Sequence, residues 1–376
     1  MLKKYIFIAI ATAFFANYIW DVLNVLGLTR TISSSVHTEC HVVEGPEDFR
    51  NCEDIVLSPT EPGIAYTACD PARDYQNMVM DIHRPMPHPQ PGYIWQLDYT
   101  KNIAKRMFTL DGDEDFHPLG LVLVNPTLLM VINLRHHNPA SIELFSLPDA
   151  KHIRTLTHPQ ISSPNSLHIL KGRSAADGTP SFFYTNDHYF LTGIKKKLEN
   201  FLRLPLGTVM FYDALSHRAY SVARGLSFAN GLAGDHKQVL FVAETNNMAV
   251  HRYDIVTIPA QDDHDTKVQL HYVDKITVPM TVDNIEFDSQ TGDVTVAGHP
   301  KALDVLMYVE DQEKYDKKPP SRVMVWHTNT NQVEDLFLDD GTFYPTSSTG
   351  VIDNNTHKLI ISGLYARGIL VCHHDP

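Results

Sequence analysis

From about residue 54 onward the chain reads as a succession of short apolar-rich strand runs separated by turns. Representative runs are Tyr93–Tyr99, Leu128–Leu134, Ser141–Leu147, Ser181–Thr185, Thr208–Asp213, Val239–Glu244, Ala249–Tyr253, Val268–Val273, Arg322–His327 and Lys358–Leu364. Turn chemistry separates them at Asp111-Gly112-Asp113, Gly234-Asp235, Asp340-Gly341 and Asp353-Asn354-Asn355. In Thr281–Val296 (TVDNIEFDSQTGDVTV) the turn Asp288–Asp293 joins two runs into a hairpin. The first of these runs opens on the polar pair Asp283-Asn284, directly after the apolar Val282. So many strands, with almost no long helical periodicity, predict an all-β protein. Their number exceeds one sandwich, and a β-propeller accommodates it while leaving few exposed edges. No exact internal repeat accompanies the strands, so strand density carries this reading.

Two segments depart from the pattern. In Leu191–Leu204, residues Leu191, Ile194, Leu198, Phe201 and Leu202 recur at helical spacing opposite Lys195-Lys196-Lys197. This predicts an amphipathic helix, either packed on the core by its apolar stripe or laid on a membrane or lipid surface. At the N-terminus, Lys3-Lys4 precedes the apolar run Tyr5–Ala16, the charge order and length of a secretory leader. Apolar character continues to Leu28 but is interrupted by Asn17, Asp21 and Asn24. Residues 1–30 therefore read as a hydrophobic leader, a signal peptide or signal anchor. It would deliver a single propeller domain, residues 40–376, to the secretory pathway, outside the cell or tethered to a membrane.

Composition narrows the chemistry. A chain of 376 residues with 43% hydrophobic content can bury a large core, and its net charge of −13 argues against a nucleic-acid partner. In an oxidising compartment the four cysteines, Cys40, Cys52, Cys69 and Cys372, predict two disulfides, and spacing leaves all three connectivities open. None forms a C-x-x-C pair, so a cysteine-based zinc site is not expected. Asn354-Asn355-Thr356 is a glycosylation sequon in a polar turn, with Asn354 as acceptor. Neither G-x-S-x-G nor H-E-x-x-H occurs, which argues against an α/β serine hydrolase and a zinc peptidase. Oxygen-bearing side chains recur instead at strand ends: Glu53-Asp54, Asn165, Asn230 and Asp283-Asn284. Carboxylates and carboxamides are the hard ligands that calcium prefers.

The ordered strings Cys40–Gly45 (CHVVEG), Glu53-Asp54, Pro118-Leu119-Gly120, Ser141–Phe145 (SIELF) and Thr185–Phe190 (TNDHYF) make a broader pattern. It continues with Phe228–Gly231 (FANG), Val282–Ile285 (VDNI), Thr291–Asp293 (TGD) and His299-Pro300. In this order and spacing the chain resembles the paraoxonase/arylesterase family, six-bladed propellers that hydrolyse lactones and aryl esters with calcium. Its divergent loops resemble a distant, fungal-type member more than a vertebrate serum enzyme, and gluconolactonase-like propellers are further possible relatives.

The resemblance implies a central catalytic calcium held by Glu53, Asn165, Asn230, Asp283 and Asn284. It implies a second, structural calcium at Asp54, at the carbonyl of Leu121 and at Ser166, where the family has an aspartate. The family's histidine dyad falls on Leu119 and Leu134, neither of which can move a proton. His117, His136, His137, His188 and His299 lie near the motifs as candidate replacements. The implied reaction is attack of water on a calcium-polarised ester or lactone carbonyl, with Glu53 or Asp283 taking the proton. The rival expectation is a non-catalytic, calcium-stabilised propeller that binds lipid or a protein partner. The resemblance also pairs Cys40 with Cys372, which leaves Cys52 with Cys69 across the Pro59–Gly63 turn.

Overall fold

The computed structural model describes residues 2–35, 39–86, 88, 90–110, 115–259, 266–312 and 314–374; the turn expected at Asp111-Gly112-Asp113 lies outside them. Six antiparallel four-stranded blades follow one another around a ring, the first and last joined through Arg50–Leu57 and Lys358–Arg367 into one eight-stranded sheet. Blade I comprises Arg50–Leu57, Ile64–Cys69, Tyr93–Asp98 and Ile103–Phe108, and blade II comprises Pro118–Asn125, Leu128–Asn133, Ser141–Ser146 and His152–Leu156. Blade III holds Pro164–Ser174, Pro180–Asn186, Gly207–Asp213 and Arg218–Leu226; blade IV holds Ala229–Gly234, Val239–Glu244, Ala249–Ile258 and Lys267–Thr277. Blade V is Thr281–Phe287, Val294–His299, Ser321–His327 and Gln332–Asp339. Blade VI takes three strands from the C-terminus, Ser347–Asp353, Lys358–Arg367 and Ile369–His373, and its outermost strand, Cys40–Val43, from the N-terminus.

The hydrophobic pattern follows from this stacking. Six apolar clusters fill the six gaps between successive blades, so there is no single central core. Inner strands are consequently covered on both faces, and Leu128–Asn133 and Val239–Glu244 are buried almost throughout. True alternation survives on rim strands such as His152–Leu156, where one face meets water. The last gap, between blades VI and I, joins Val351, Ile360 and Val371 to Ile55, Ala65 and Trp95. On the other side of blade VI, facing blade V, Cys40 lies opposite Cys372 in register and is bonded to it.

Three helices gather at one end of the ring: α1 (Leu2–Val25), α2 (Gly193–Phe201) and α3 (Ala302–Glu310). Tyr18 of α1 donates its hydroxyl to the carbonyl of Phe201 on α2 (3.0 Å), and the amide of Leu303 on α3 donates to the carbonyl of Leu26 (3.1 Å). Among the described residues no helix is long and apolar enough to cross a membrane.

Helix α2 corrects one expectation. It is shorter than Leu191–Leu204, and its apolar stripe turns outward: Leu191, Ile194, Leu198, Phe201 and Leu202 are all exposed. The inward face carries Lys196 and Glu199. Lys196 donates Nζ to the carbonyl of Met78 (2.7 Å), and Glu199 accepts from the amides of Tyr189 and Phe190 (2.9 Å each). These polar partners satisfy buried backbone groups that an apolar face would leave orphaned.

Candidate metal centre

Each blade sends its innermost strand down the ring axis, and each such strand is irregular at corresponding positions. Register shifts fall at Cys52/Asp54, Pro118/Leu121, Pro164/Leu167, Ala229/Leu232, Val282/Ile285 and Ser347/Thr349. A bulge bends its strand and re-aims side chains that a regular pleat would point to opposite faces. Within or beside these shifts sit Glu53, Leu119, Asn165, Asn230, Asp283, Asn284 and Ser348.

The axis is crowded enough to require glycine beside the ligand positions. A Cβ on Gly231 would lie 2.7 Å from the Cα of Asn284, and one on Gly120 would lie 2.5 Å from the carbonyl oxygen of Asn165. Glycine removes the atom that would force those strands apart. The main chain of Glu53 is clamped as well. Its carbonyl accepts from Ser348 (2.6 Å), Thr349 (3.0 Å) and Ser362 (3.1 Å), and the preceding Cys52 is bonded to Cys69.

These residues form the floor of a cavity of about 750 Å³ whose walls come from the helices: Val25 of α1, Phe201 of α2, and Val305 and Val309 of α3. Glu53, Asn165, Asn230 and Asp283 line it and are buried. Asn284 lies beneath, donating Nδ2 to Glu53 Oε1 (2.8 Å) and Thr349 Oγ1 (3.0 Å), and lines a second cavity of about 380 Å³. Asn230 donates Nδ2 to Asp283 Oδ1 (2.9 Å). Four oxygens are left over: Glu53 Oε2, Asn165 Oδ1, Asn230 Oδ1 and Asp283 Oδ2 are buried without a hydrogen-bond partner among the described residues. Orphaned buried acceptors in such number are costly and call for a ligand.

Charge says the same. Burial, then the neighbouring carboxylates of Asp54 and Asp283, pushes the Glu53 carboxyl well above its ordinary range, with Arg73 only partly offsetting them. A divalent cation removes that repulsion.

Asp54 faces the other way, into the second cavity. It accepts from the amides of Leu121 (3.0 Å) and Ile55 (2.9 Å) and from Thr349 Oγ1 (3.1 Å), while burial, the largest influence, pushes it up to about 6. Leu121 thus meets Asp54 through its N–H rather than its carbonyl. Ser166 lines the same cavity with its hydroxyl already accepting from the amide of Leu232 (3.0 Å). Glu286 also lines it, held well above its ordinary range by burial and by Asp54. The sequence drew no attention to Glu286, because a glutamate in an alternating run reads as a solvated position.

Leu119 is buried in the wall, and Leu134 packs behind it. Of the five histidines, His299 comes closest to the floor: its Nε2 lies 3.3 Å from Asp283 Oδ2, outside hydrogen-bond geometry, and it lines the cavity. His188 sits between Asp187 and Asn200 (2.9 Å each), and His137 is exposed. His117 and His136 stack on each other away from this floor, with ring centroids 3.7 Å apart. Asn354 is half-buried, with its amide nitrogen donated to Asp288 Oδ2 (2.6 Å).

A six-bladed propeller with an apolar cavity ending in a floor of buried carboxylates and carboxamides defines a class of protein, the propellers with an oxygen-lined axial site. A family model described as Arylesterase matches residues 106–373, and the chain belongs to that family. It is 24% identical over 375 residues to serum paraoxonase/lactonase 3 of Oryctolagus cuniculus, covering 94% of each chain. It is 26% identical over 363 residues to serum paraoxonase/lactonase 3 of Mus musculus, covering 92% of this chain and 91% of that one. Among solved structures it resembles a protein described as a putative gluconolactonase, with a TM-score of 0.51 at 16% identity over 89% of this chain and 91% of that one. That likeness bears on the fold alone.

Proposed function

We propose that this protein is a calcium-dependent hydrolase of carboxylic esters, aryl esters, lactones or both, in which water attacks a carbonyl held at the cavity floor. The four unpartnered oxygens of Glu53, Asn165, Asn230 and Asp283 carry this reading. Their chemistry fits the ion: two carboxylates balance its charge, and amide oxygens add ligands without neutralising it further. Calcium bound there would supply a Lewis acid for the carbonyl oxygen and for the oxyanion that develops on it.

The chain's own groups handle the proton and the substrate. Glu53 or Asp283 would take the proton released as the water oxygen bonds to the carbonyl carbon. His299, beside Asp283, can carry that proton onward to the departing alkoxide or phenolate when the C–O bond breaks. Leu119 contributes only apolar contact. A second ion, if the chain holds one, would sit in the lower cavity at Asp54 with Glu286, since Ser166 is already engaged.

Val22, Val25 and Leu26 line the cavity together with Phe201 of the outward apolar stripe of α2, which supports docking on a membrane or lipid surface by a chain in the secretory pathway.

The test is hydrolysis of phenyl acetate and δ-valerolactone in calcium and in excess EGTA. We expect turnover of at least one in calcium, its loss in EGTA and its return on re-addition. Turnover indifferent to EGTA would overturn the metal's role. Calcium binding without turnover of either ester would favour the non-catalytic propeller.

The same carboxylates predict an unusual pH profile. In EGTA, Asp54 sits at about 6 in the folded chain against an ordinary 3.8, so the folded state binds the proton more tightly than the unfolded one. Its stabilisation is therefore present at low pH and lost as pH rises through about 6, by an amount on the order of 3 kcal/mol. Calcium, which binds the ionised carboxylates, should reverse the slope. Thermal melts between pH 4 and 7 check this; a metal-free protein that gains stability with pH would contradict it.

A further inference from the structure

A cluster away from the cavity floor has the makings of a different metal site. A ring nitrogen of His117, a ring nitrogen of His136 and a carboxylate oxygen of Asp115 lie within 4.8 Å of one another. Motif proximity offers each histidine only as a stand-in for the missing dyad, whereas their geometry suits another purpose.

The surroundings orient all three. His117 Nδ1 is 3.2 Å from Asp70 Oδ2, and His136 Nδ1 meets the side-chain oxygen of Gln76. With an oxygen acceptor at each Nδ1, the proton of each neutral ring is assigned there, which leaves both Nε2 atoms as lone-pair donors. That is the support that metal-binding imidazoles receive from carboxylates and amides behind them. Asp70 is itself fixed by accepting from the amide of Ala72 (3.0 Å). Asp115 is fixed by the amides of His136 (2.6 Å) and His137 (3.2 Å) and by Asn138 Nδ2 (3.1 Å). His117 Nε2 lies 3.9 Å from Asp115 Oδ1. The rings are stacked 3° from parallel, so their lone pairs run side by side and closing on one ion requires both rings to rotate out of the stack. A small void of about 10 Å³ adjoins both, walled by Leu119 and Leu134.

We propose that Asp115, His117 and His136 bind a divalent transition-metal ion of the zinc class, distinct from the calcium proposed at the cavity floor. Two imidazoles and one carboxylate form a nitrogen-rich set suited to zinc or cobalt, whereas calcium selects oxygen. The ion would fasten the segment before blade II's first strand to the loop after its second. Leu119 separates it from the large cavity, so its role is structural, and it stands or falls independently of the proposed hydrolysis.

The test uses full-length, tag-free protein stripped with EDTA, resupplied with saturating calcium and titrated with Co2+. We expect one equivalent to bind with a visible d–d spectrum that Zn2+ abolishes, and Zn2+ to raise the melting temperature. His136→Gln should eliminate the spectrum. Asp70→Asn, which keeps the hydrogen-bonding shape, should weaken Zn2+ about 10- to 100-fold. Calcium affinity should be unchanged in both. Should His136→Gln not fold, the wild-type titration and Asp70→Asn decide the matter. The proposal is overturned if calcium-loaded wild-type protein takes up no stoichiometric Co2+, or takes it up equally well in both variants.

Discussion

Replacing Asp283 by alanine is expected to abolish hydrolysis, lowering kcat/KM by about a thousandfold or more at saturating calcium, the scale seen when a preorganised electrostatic partner is removed. Asp283 contributes one of two charged oxygens facing the cavity, holds Asn230 through Oδ1 at 2.9 Å, and stands 3.3 Å from His299. Alanine removes the charge, a proton acceptor and the anchor of a neighbouring amide together. Folding should survive, because Asp283 adds to the repulsion that raises Glu53. In EGTA the variant should therefore melt no lower than wild type, even though it no longer gains stability from calcium. Steady-state kinetics with parallel melts separate these effects. Wild-type turnover in Asp283→Ala would remove the floor from the reaction altogether.

The second large effect concerns the two disulfides, which should fail in different ways. Cys40 and Cys372 are 332 residues apart, and loop-closure entropy assigns such a bridge about 6 kcal/mol, an upper figure that neglects native-state strain. It fastens the N-terminal strand onto blade VI, where the ring closes. The Cys40→Ser, Cys372→Ser double variant should thus lose several kcal/mol in urea unfolding while keeping its calcium affinity. Cys52 and Cys69 are only 17 residues apart, and the same reasoning gives about 3 kcal/mol. Cys52 adjoins Glu53, however, so Cys52→Ser, Cys69→Ser should weaken calcium binding as well as stability. Equal calcium affinity in the two double variants would show that the Glu53 backbone is held by Ser348, Thr349 and Ser362 alone.

Much of the architecture is written locally. Strand runs and turn residues each depend on neighbours a few positions away, and those preferences survive in the fold. The hairpin through Asp288–Asp293 is one case, closed by Asp288 N–H to the carbonyl of Asp293 at 2.9 Å. Helix α2 shows where local reading stops. Its spacing announces a helix, but which face turns inward depended on Met78, Tyr189 and Phe190, whose backbone groups needed Lys196 and Glu199.

Strand content, the oxygen-rich residues at strand ends and, through ordered motifs, the family are properties of the chain alone. The meeting of those residues belongs to the tertiary structure, because six strands converging on one axis crowd their backbones. Gly120 and Gly231 leave room there for the main chain of the neighbouring blade, and bulges re-aim Glu53, Asn165, Asn230 and Asp283 toward a shared floor. A strand read alone alternates strictly, and only its neighbours around the ring can make it break step. The same holds for His117 and His136, which lie on separate segments and became a stacked pair only when blade II folded over the turn that carries Asp70 and Gln76.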